Sequence, residues 1–284
     1  MTDPQPSAGN AAQIDFWNTG AGETWAELQT LLDRQISPLG LQAMRALGLT
    51  AGEQVLDIGC GCGQTSLQLA ERVGPSGHVL GVDISQPMLE VARRRAAEAA
   101  AGSVAFRQAD AQAADLGAGA FDVVYSRFGV MFFADPPAAF ANIRTALKPG
   151  GRMAFVCWRS PAENPLMVAP MVAAMPFLPP MPPPDPLEPG PFAFADSERV
   201  RSILGQAGFA DIAVEPFDAL VGAGGLEDSL SVAFRIGPLG RVLREHPDRR
   251  EAVVDAVRAA LTPYVTDDGL KMAAAVWIVT ARKG

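Results

Sequence analysis

Short apolar runs alternate with amphipathic stretches between residues 55 and 158, and glycines or acids close most of them. Val55-Leu56-Asp57-Ile58 leads into Gly59-Cys60-Gly61-Cys62-Gly63, and His78-Val79-Leu80-Gly81-Val82 ends at Asp83. Ser103-Val104-Ala105-Phe106-Arg107-Gln108-Ala109 is closed by Asp110, and Phe121-Asp122-Val123-Val124-Tyr125-Ser126-Arg127 reads as a buried strand. Leu147-Lys148-Pro149-Gly150-Gly151 stops a helix and turns into a fifth run that ends at Trp158. Strands that alternate with helices pair in parallel through crossovers, so the order predicts an α/β, doubly wound sheet with helices on both faces.

Ahead of this segment, residues 13–49 predict two or more helices. Leu28, Leu31, Leu32, Gln35 and Ile36 lie at helical spacing, Ser37-Pro38 breaks the pattern, and 39–47 resumes it. Beyond it, residues 175–191 are so rich in proline that helix and central strand are excluded. That stretch is expected to be an extended spacer, or else part of a lid that turns Phe177, Phe192 and Phe194 toward a cleft. A helix at 197–205, a strand at 212–217, helical stretches at 226–236 and 249–261, and a last strand at 273–281 complete the pattern. Asp135-Pro136 predicts a helix N-cap with proline in the first turn, the helix running to 147. The organisation expected is a disordered tail (1–12), an N-terminal helical cap (13–50), a ligand-binding core (51–160), a proline-rich lid or linker (161–196), a core continuation (197–221), an inserted helical cap (222–268) and the last core strand (269–284).

With 284 residues and 49% apolar content, the chain can bury one sizeable core with insertions. A formal net charge of −8 argues against nucleic acid as a partner, because phosphate binding draws on Lys and Arg. The one basic cluster, Arg93-Arg94-Arg95, reads as the solvated end of a helix. Cys60, Cys62 and Cys157 have neither a disulfide framework nor zinc or iron–sulfur spacing, so no metal is expected. The polar residues 1–10 carry no leader pattern and no run is long enough to span a bilayer, so a soluble, cytoplasmic monomer or homodimer is expected.

The chemistry concentrates at the glycine turn. Glycines at alternate positions tolerate positive φ and leave amide N–H groups bare at the positive end of the following helix, a cradle for a polar, partly anionic small molecule. Asp83, at the end of the second strand, stands where a carboxylate accepts both hydroxyls of a ribose. A nicotinamide-dependent oxidoreductase shares this layout, but its fingerprint is Gly-x-Gly-x-x-Gly, and here Ser66 replaces the last glycine.

Together, the Asp57/Gly59/Gly61/Gly63 turn, Asp83-Ile84, Asp110-Ala111 and the Lys148-Pro149-Gly150-Gly151 turn resemble the class I S-adenosylmethionine-dependent methyltransferases. The small-molecule branch that includes the quinone-biosynthesis enzymes is the most similar. The resemblance is specific from about Val55 to Trp158. It implies a seven-stranded sheet in the order 3-2-1-4-5-7-6, the last two strands antiparallel. It also implies S-adenosylmethionine as cofactor, held by Asp57, Gly59, Gly61, Gly63 and Thr65 at its methionine end, by Asp83 at the ribose and by Asp110-Ala111 at the adenine. Ile84, Met88, Ser126 and Trp25 complete the expected cofactor set. A cofactor-binding module without turnover is the alternative.

The implied reaction is an in-line displacement, in which alignment and exclusion of water do most of the work. The expected acceptor is a small, aromatic or isoprenoid-like molecule methylated at O, C or N. Phe16, Trp17, Phe128, Met131 and Phe132, with Phe133 nearby, are the residues expected to wall its pocket, or else to pack the cap onto the core. No catalytic group is identified by spacing. His246 is a candidate base, with a solvated loop histidine as the alternative, and His78 opens the second strand away from its carboxyl end. Arg127, Arg159 and Arg235 are candidate anchors for an acidic group, or else ion-pair partners. Asp135-Pro136-Pro137-Ala138 is similar to the Asp-Pro-Pro-Tyr motif of amino-group methyltransferases, but it lacks the aromatic and lies beyond the end of the fourth strand.

Overall fold

Strand β1 (Gln54–Ile58) is buried at every position after Gln54, as a strand covered on both faces must be. It pairs in parallel with β2 (His78–Asp83) and β4 (Phe121–Arg127), while β3 (Val104–Gln108) extends the sheet beyond β2. On the other side β5 (Leu147–Trp158) pairs in parallel with β4. The long strand β9 (Met272–Lys283) then runs antiparallel between β5 and the edge strand β6 (Phe209–Val221). The order β3-β2-β1-β4-β5-β9-β6 is the expected one, with β9 as the seventh strand of the sheet. A separate hairpin, β7 (Val265–Thr266) and β8 (Gly269–Leu270), takes the intervening numbers. In this computed structural model residues 10–180 and 185–284 are described, so most of the expected N-terminal tail and part of the proline-rich stretch lie outside the described residues.

The direction of crossover reverses between β1 and β4, and a cleft opens at the carboxyl ends of the strands at such a switch point. Helices α4 (Gln64–Val73) and α5 (Gln86–Glu98) follow β1 and β2, and α6 (Pro136–Ala146) joins β4 to β5. Asp135 caps α6 as expected, its side chain accepting from the Ala138 amide at 3.1 Å. Helix α8 (Ser197–Gln206) precedes β6. Phe140 packs against Phe155 and Phe194, with ring centroids 5.5 and 6.1 Å away. Phe194 is therefore a core residue, 1% exposed, and does not face a cleft.

Several expectations about helices need correction. Helix α1 (Ala11–Asn18) already includes Ala11 and Ala12, because its C-terminal end docks on the loop after β2; α2 (Gly20–Glu27) follows. Ser37-Pro38 does not break the pattern: α3 (Gln29–Leu47) is continuous through Pro38. An interior proline costs roughly 3 kcal/mol. The buried face formed by Leu32, Ile36, Leu39, Ala43, Met44 and Leu47 runs straight past it and offsets that cost. The segment 161–196 also contains a helix, α7 (Pro165–Ala174), and α10 (Gly237–Glu245) lies between α9 (Leu226–Arg235) and α11 (Arg250–Leu261). These four helices share a second apolar cluster of Ala174, Leu230, Leu239, Leu243, Val253, Val257 and Leu261, distinct from the core under the sheet.

Candidate functional site

The turn after β1 places Gly59, Gly61 and Gly63 at φ of 65°, 52° and 81°, a region disfavoured for residues with a Cβ. A Cβ on Gly59 would lie 2.7 Å from the Gly129 Cα, so two backbone segments touch there. At Gly61 the nearest atom to such a Cβ is the Met88 sulfur at 3.7 Å, an ordinary contact distance. The glycine amides are not bare, contrary to the expectation from spacing. Gly59 and Cys60 donate to the Val82 carbonyl at 2.9 and 3.1 Å, Gly63 donates to the Cys60 carbonyl at 2.9 Å, and Gly61 donates to Asp83 Oδ2 at 2.8 Å. Their partners come from β2 and from within the turn, and spacing alone does not reveal them. Donors for a ligand are offered instead by the first turn of α4, which has no side-chain cap.

Three carboxylates stand at or just beyond the carboxyl ends of the adjacent strands β1, β2 and β3. Asp57 is fully buried; its Oδ2 accepts the Thr65 and Ser66 hydroxyls, each at 2.7 Å, and its Oδ1 has no partner. Burial pushes its carboxyl up to about 6 against the opposing pull of those hydroxyls and of Arg127. Asp83 accepts the Gly61 amide through Oδ2 and the Ser85 amide through Oδ1, at 2.8 and 2.9 Å, and burial raises its pKa. Two of its lone-pair sites remain for other donors. Asp110 accepts the Gln112 amide at 3.0 Å through Oδ1, and its buried Oδ2 has no partner.

The other expected cofactor residues divide. Met88 is buried with Cys62 and Val91, and Trp17 and Trp25 pack against this cluster. Ala111 is buried, and its carbonyl accepts Asn142. The Ile84 carbonyl is taken by Asn18 and Gln108. The Ser126 hydroxyl donates to the Ile58 carbonyl at 2.8 Å and accepts the Gly129 amide at 3.3 Å, so it is used within the fold.

Above the turn, Trp17 meets Phe16, Trp25 and Phe132 edge to face, with centroids 5.2, 5.8 and 5.3 Å apart. Phe16 is half exposed, and Phe128, at φ 61°, stacks flat on Trp158 at 4.4 Å. Met131 is buried, and its carbonyl accepts the Gly190 amide at 3.1 Å, which draws the end of the proline-rich stretch across this rim. Phe133 points instead at Phe140, inside the core.

The three arginines considered as anchors are ion-paired: Arg127 with Asp33, Arg159 with Asp218 and Glu163, and Arg235 with Glu27. His246 closes α10, its backbone bonded to Val242 and Arg249, and His78 sits at the far end of β2 from Asp83. The three thiols are free and buried, and burial pushes all of them well above their ordinary range, Cys62 to about 12. Among the described residues no group of three or more His, Cys, Asp or Glu is placed to hold a metal, and no helix is long and apolar enough to cross a membrane.

Sequence reasoning missed Asp33. From α3 it pairs with Arg127 at 3.1 Å and with Arg95 at 2.9 Å, while Arg127 also donates to Gln64 and Arg95 to the Cys62 carbonyl. An acid in the otherwise apolar buried face of α3 was the available signal.

Residues 55–151 match the family model described as a methyltransferase domain. The chain is 38% identical over 112 residues to the demethylmenaquinone methyltransferase of Lactococcus lactis subsp. lactis, covering 39% of this chain and 44% of that protein. It is 35% identical over 144 residues to the aklanonic acid methyltransferase DauC of Streptomyces sp., covering 51% and 61%. The matched stretches thus span about half the length of these curated relatives. Among solved structures, the fold is similar to that of phosphoethanolamine N-methyltransferase 2 of Haemonchus contortus in complex with S-adenosyl-L-methionine. That likeness has a TM-score of 0.59 at 20% identity and covers 98% of this chain and 60% of that one. Domain match, strand order and glycine turn agree, and residues 55–151 form a methyltransferase domain similar to those of the class I S-adenosylmethionine-dependent enzymes.

Proposed function

We propose that the protein transfers a methyl group from S-adenosylmethionine to a small, largely apolar acceptor at oxygen, carbon or nitrogen. The observation that carries this reading is the row of acids on β1, β2 and β3. Neighbouring strands lie about 4.8 Å apart, so the three carboxylates span roughly 10 Å, the reach of a nucleoside with its substituent. The outer two each keep one buried oxygen without a donor, and the middle one keeps lone pairs. A ligand with an ammonium group at one end, hydroxyls in the middle and an aromatic amine at the other satisfies all three. Asp57 and the first turn of α4 would hold the methionine end, Asp83 the ribose, and Asp110 with Ala111 the adenine.

When bound, the sulfonium supplies an electrophilic methyl group. The protein's part is alignment and dryness: Trp17, Trp25 and Phe132 shield the cleft from above, and apolar walls of this kind favour a low-polarity acceptor. The relatives named for demethylmenaquinone and for aklanonic acid support an acceptor of small-molecule size. Calorimetric titration with S-adenosylhomocysteine tests the reading, with binding expected in the wild type. Asp83→Ala is expected to weaken it about 10- to 100-fold through lost charge-assisted hydrogen bonds. No binding by the wild type overturns the assignment, and unchanged affinity in the variant overturns the role of Asp83. An acceptor panel with labelled methyl donor then identifies the substrate.

A further inference from the structure

Asn18 is the last residue of α1, and the chain turns at Thr19 before α2 begins. Its carboxamide is fully used. Nδ2 donates to the Ile14 carbonyl at 2.7 Å and to the Ile84 carbonyl at 2.8 Å, and Oδ1 accepts the Gln86 amide at 2.9 Å and Gln108 Nε2 at 3.4 Å. Two donors and two acceptor sites are all that an asparagine side chain possesses. Beside it, the Ser85 hydroxyl donates to the Trp17 carbonyl at 2.7 Å. Helix α2 closes over this joint so tightly that a Cβ on Gly22 would lie 2.0 Å from the Trp17 oxygen and 2.6 Å from Ser85 Oγ.

The loop gripped in this way, Asp83 to Gln86, is the one that carries the ribose carboxylate. From below, Asp83 binds the Gly61 amide of the glycine turn; within the loop it binds the Ser85 amide. From above, Asn18 clasps the residues on either side of Ser85, and Trp17 takes the Ser85 hydroxyl. The same residue pair, Trp17-Asn18, therefore contributes an indole to the aromatic roof and a carboxamide to the loop beneath it. An aliphatic side chain of similar size at position 18 would seat the helices by packing, but would leave the Gln86 amide without its partner and the Ile84 carbonyl with Gln108 alone.

We propose that Asn18 is a positioning residue for the cofactor: it couples docking of the N-terminal helices to the shape of the Asp83–Gln86 loop, so that closing the roof and ordering the ribose site are one event. This rests on the S-adenosylmethionine reading above. The test combines calorimetry with S-adenosylhomocysteine, hydrogen exchange of residues 10–28 with and without that ligand, and thermal melting of the ligand-free protein. In the wild type the ligand is expected to bind and to slow exchange in residues 10–28. Asn18→Ala is expected to weaken binding about 10-fold or more, as for one or two lost hydrogen bonds, and to abolish the ligand-dependent protection, with the ligand-free melt of the core little changed. Asn18→Asp, which keeps the acceptors for Gln86 and Gln108 but sets a carboxylate against the Ile84 carbonyl, is expected to bind no better than Asn18→Ala. Should Asn18→Ala fail to fold, Ser85→Ala, which removes only the hydroxyl bond to Trp17, is read the same way. Wild-type affinity in the variants, or a wild type that binds ligand without protecting residues 10–28, overturns the coupling and leaves the cofactor reading standing. Absence of any wild-type binding overturns both.

Discussion

The floor of the cleft and its roof are built by opposite means. The floor is a matter of backbone: glycines at positive φ, strand ends in register, and carboxylates held by N–H and hydroxyl donors within a few residues of one another. The roof is a matter of side chains drawn from distant segments, with Trp17 against Phe132, Asn18 against Gln86, and Leu28 between α2 and α3 and Leu32 of α3 against Val232 of α9. A floor of this kind tolerates few alternatives at each position, whereas a roof of packed apolar surfaces accepts many. The difference predicts that substitutions in the floor cost folding or cofactor affinity, and that most substitutions in the roof cost little.

The sharpest way to break that contrast is Gly59→Ala. A left-handed backbone at an L-residue costs about 1–2 kcal/mol, and overpacking against the Gly129 backbone adds up to about 3 kcal/mol. A loss approaching 5 kcal/mol is expected in chemical denaturation, and a near-wild-type midpoint would show the floor to be pliable. Asp33→Ala comes next, because it leaves the largely buried Arg127 and Arg95 guanidiniums without their shared partner. About 3–4 kcal/mol is expected from removing one member of such a network, with a double-mutant cycle against Arg127 separating the pair from packing.

The pH profile sharpens the same comparison. The folded-state pKa of Asp57 is raised from 3.8 to about 6, so its neutral form is the one the fold favours. The stability contributed by this group is complete below the unfolded value and is lost as pH rises through about 6, a change of about 3 kcal/mol. Denaturation at stepped pH is expected to show that decline in the wild type and its absence in Asp57→Asn; parallel profiles would contradict it. The smallest effect belongs to the roof. Arg235→Ala removes an exposed pair with Glu27, and no change in melting temperature beyond measurement error is expected.

How much was legible follows from the same division. Buried parallel strands write themselves as apolar runs, so β1 to β5 could be anticipated, while the sheet order was implied by the family resemblance; Asp57, Asp83 and Asp110 lie at or just beyond the carboxyl ends of β1, β2 and β3. The donors that occupy the glycine turn were not legible, because the Val82 carbonyl reaches Gly59 and Cys60 only once β2 lies beside β1. Prolines hid α7, which begins at Pro165 and contains Pro170, just as Pro38 suggested a break in α3 that packing overrides. The partners of Asp33 lie 62 and 94 residues away in sequence, beyond the reach of any local pattern. Asn18 gives no sign at all: in sequence it is an ordinary helix-ending polar residue.

The helices α7, α9, α10 and α11 gather an apolar nucleus together with Leu270 of β8 and Met272 of β9, and Leu166 at its margin also packs against the main core. Because few residues are shared with the main core, changes in Leu230, Leu239, Val253 or Val257 couple weakly to the sheet, as sites with few common partners contribute nearly independently to stability. Such an arrangement lets residues of that nucleus vary with little effect on the carboxylate row at the ends of β1, β2 and β3.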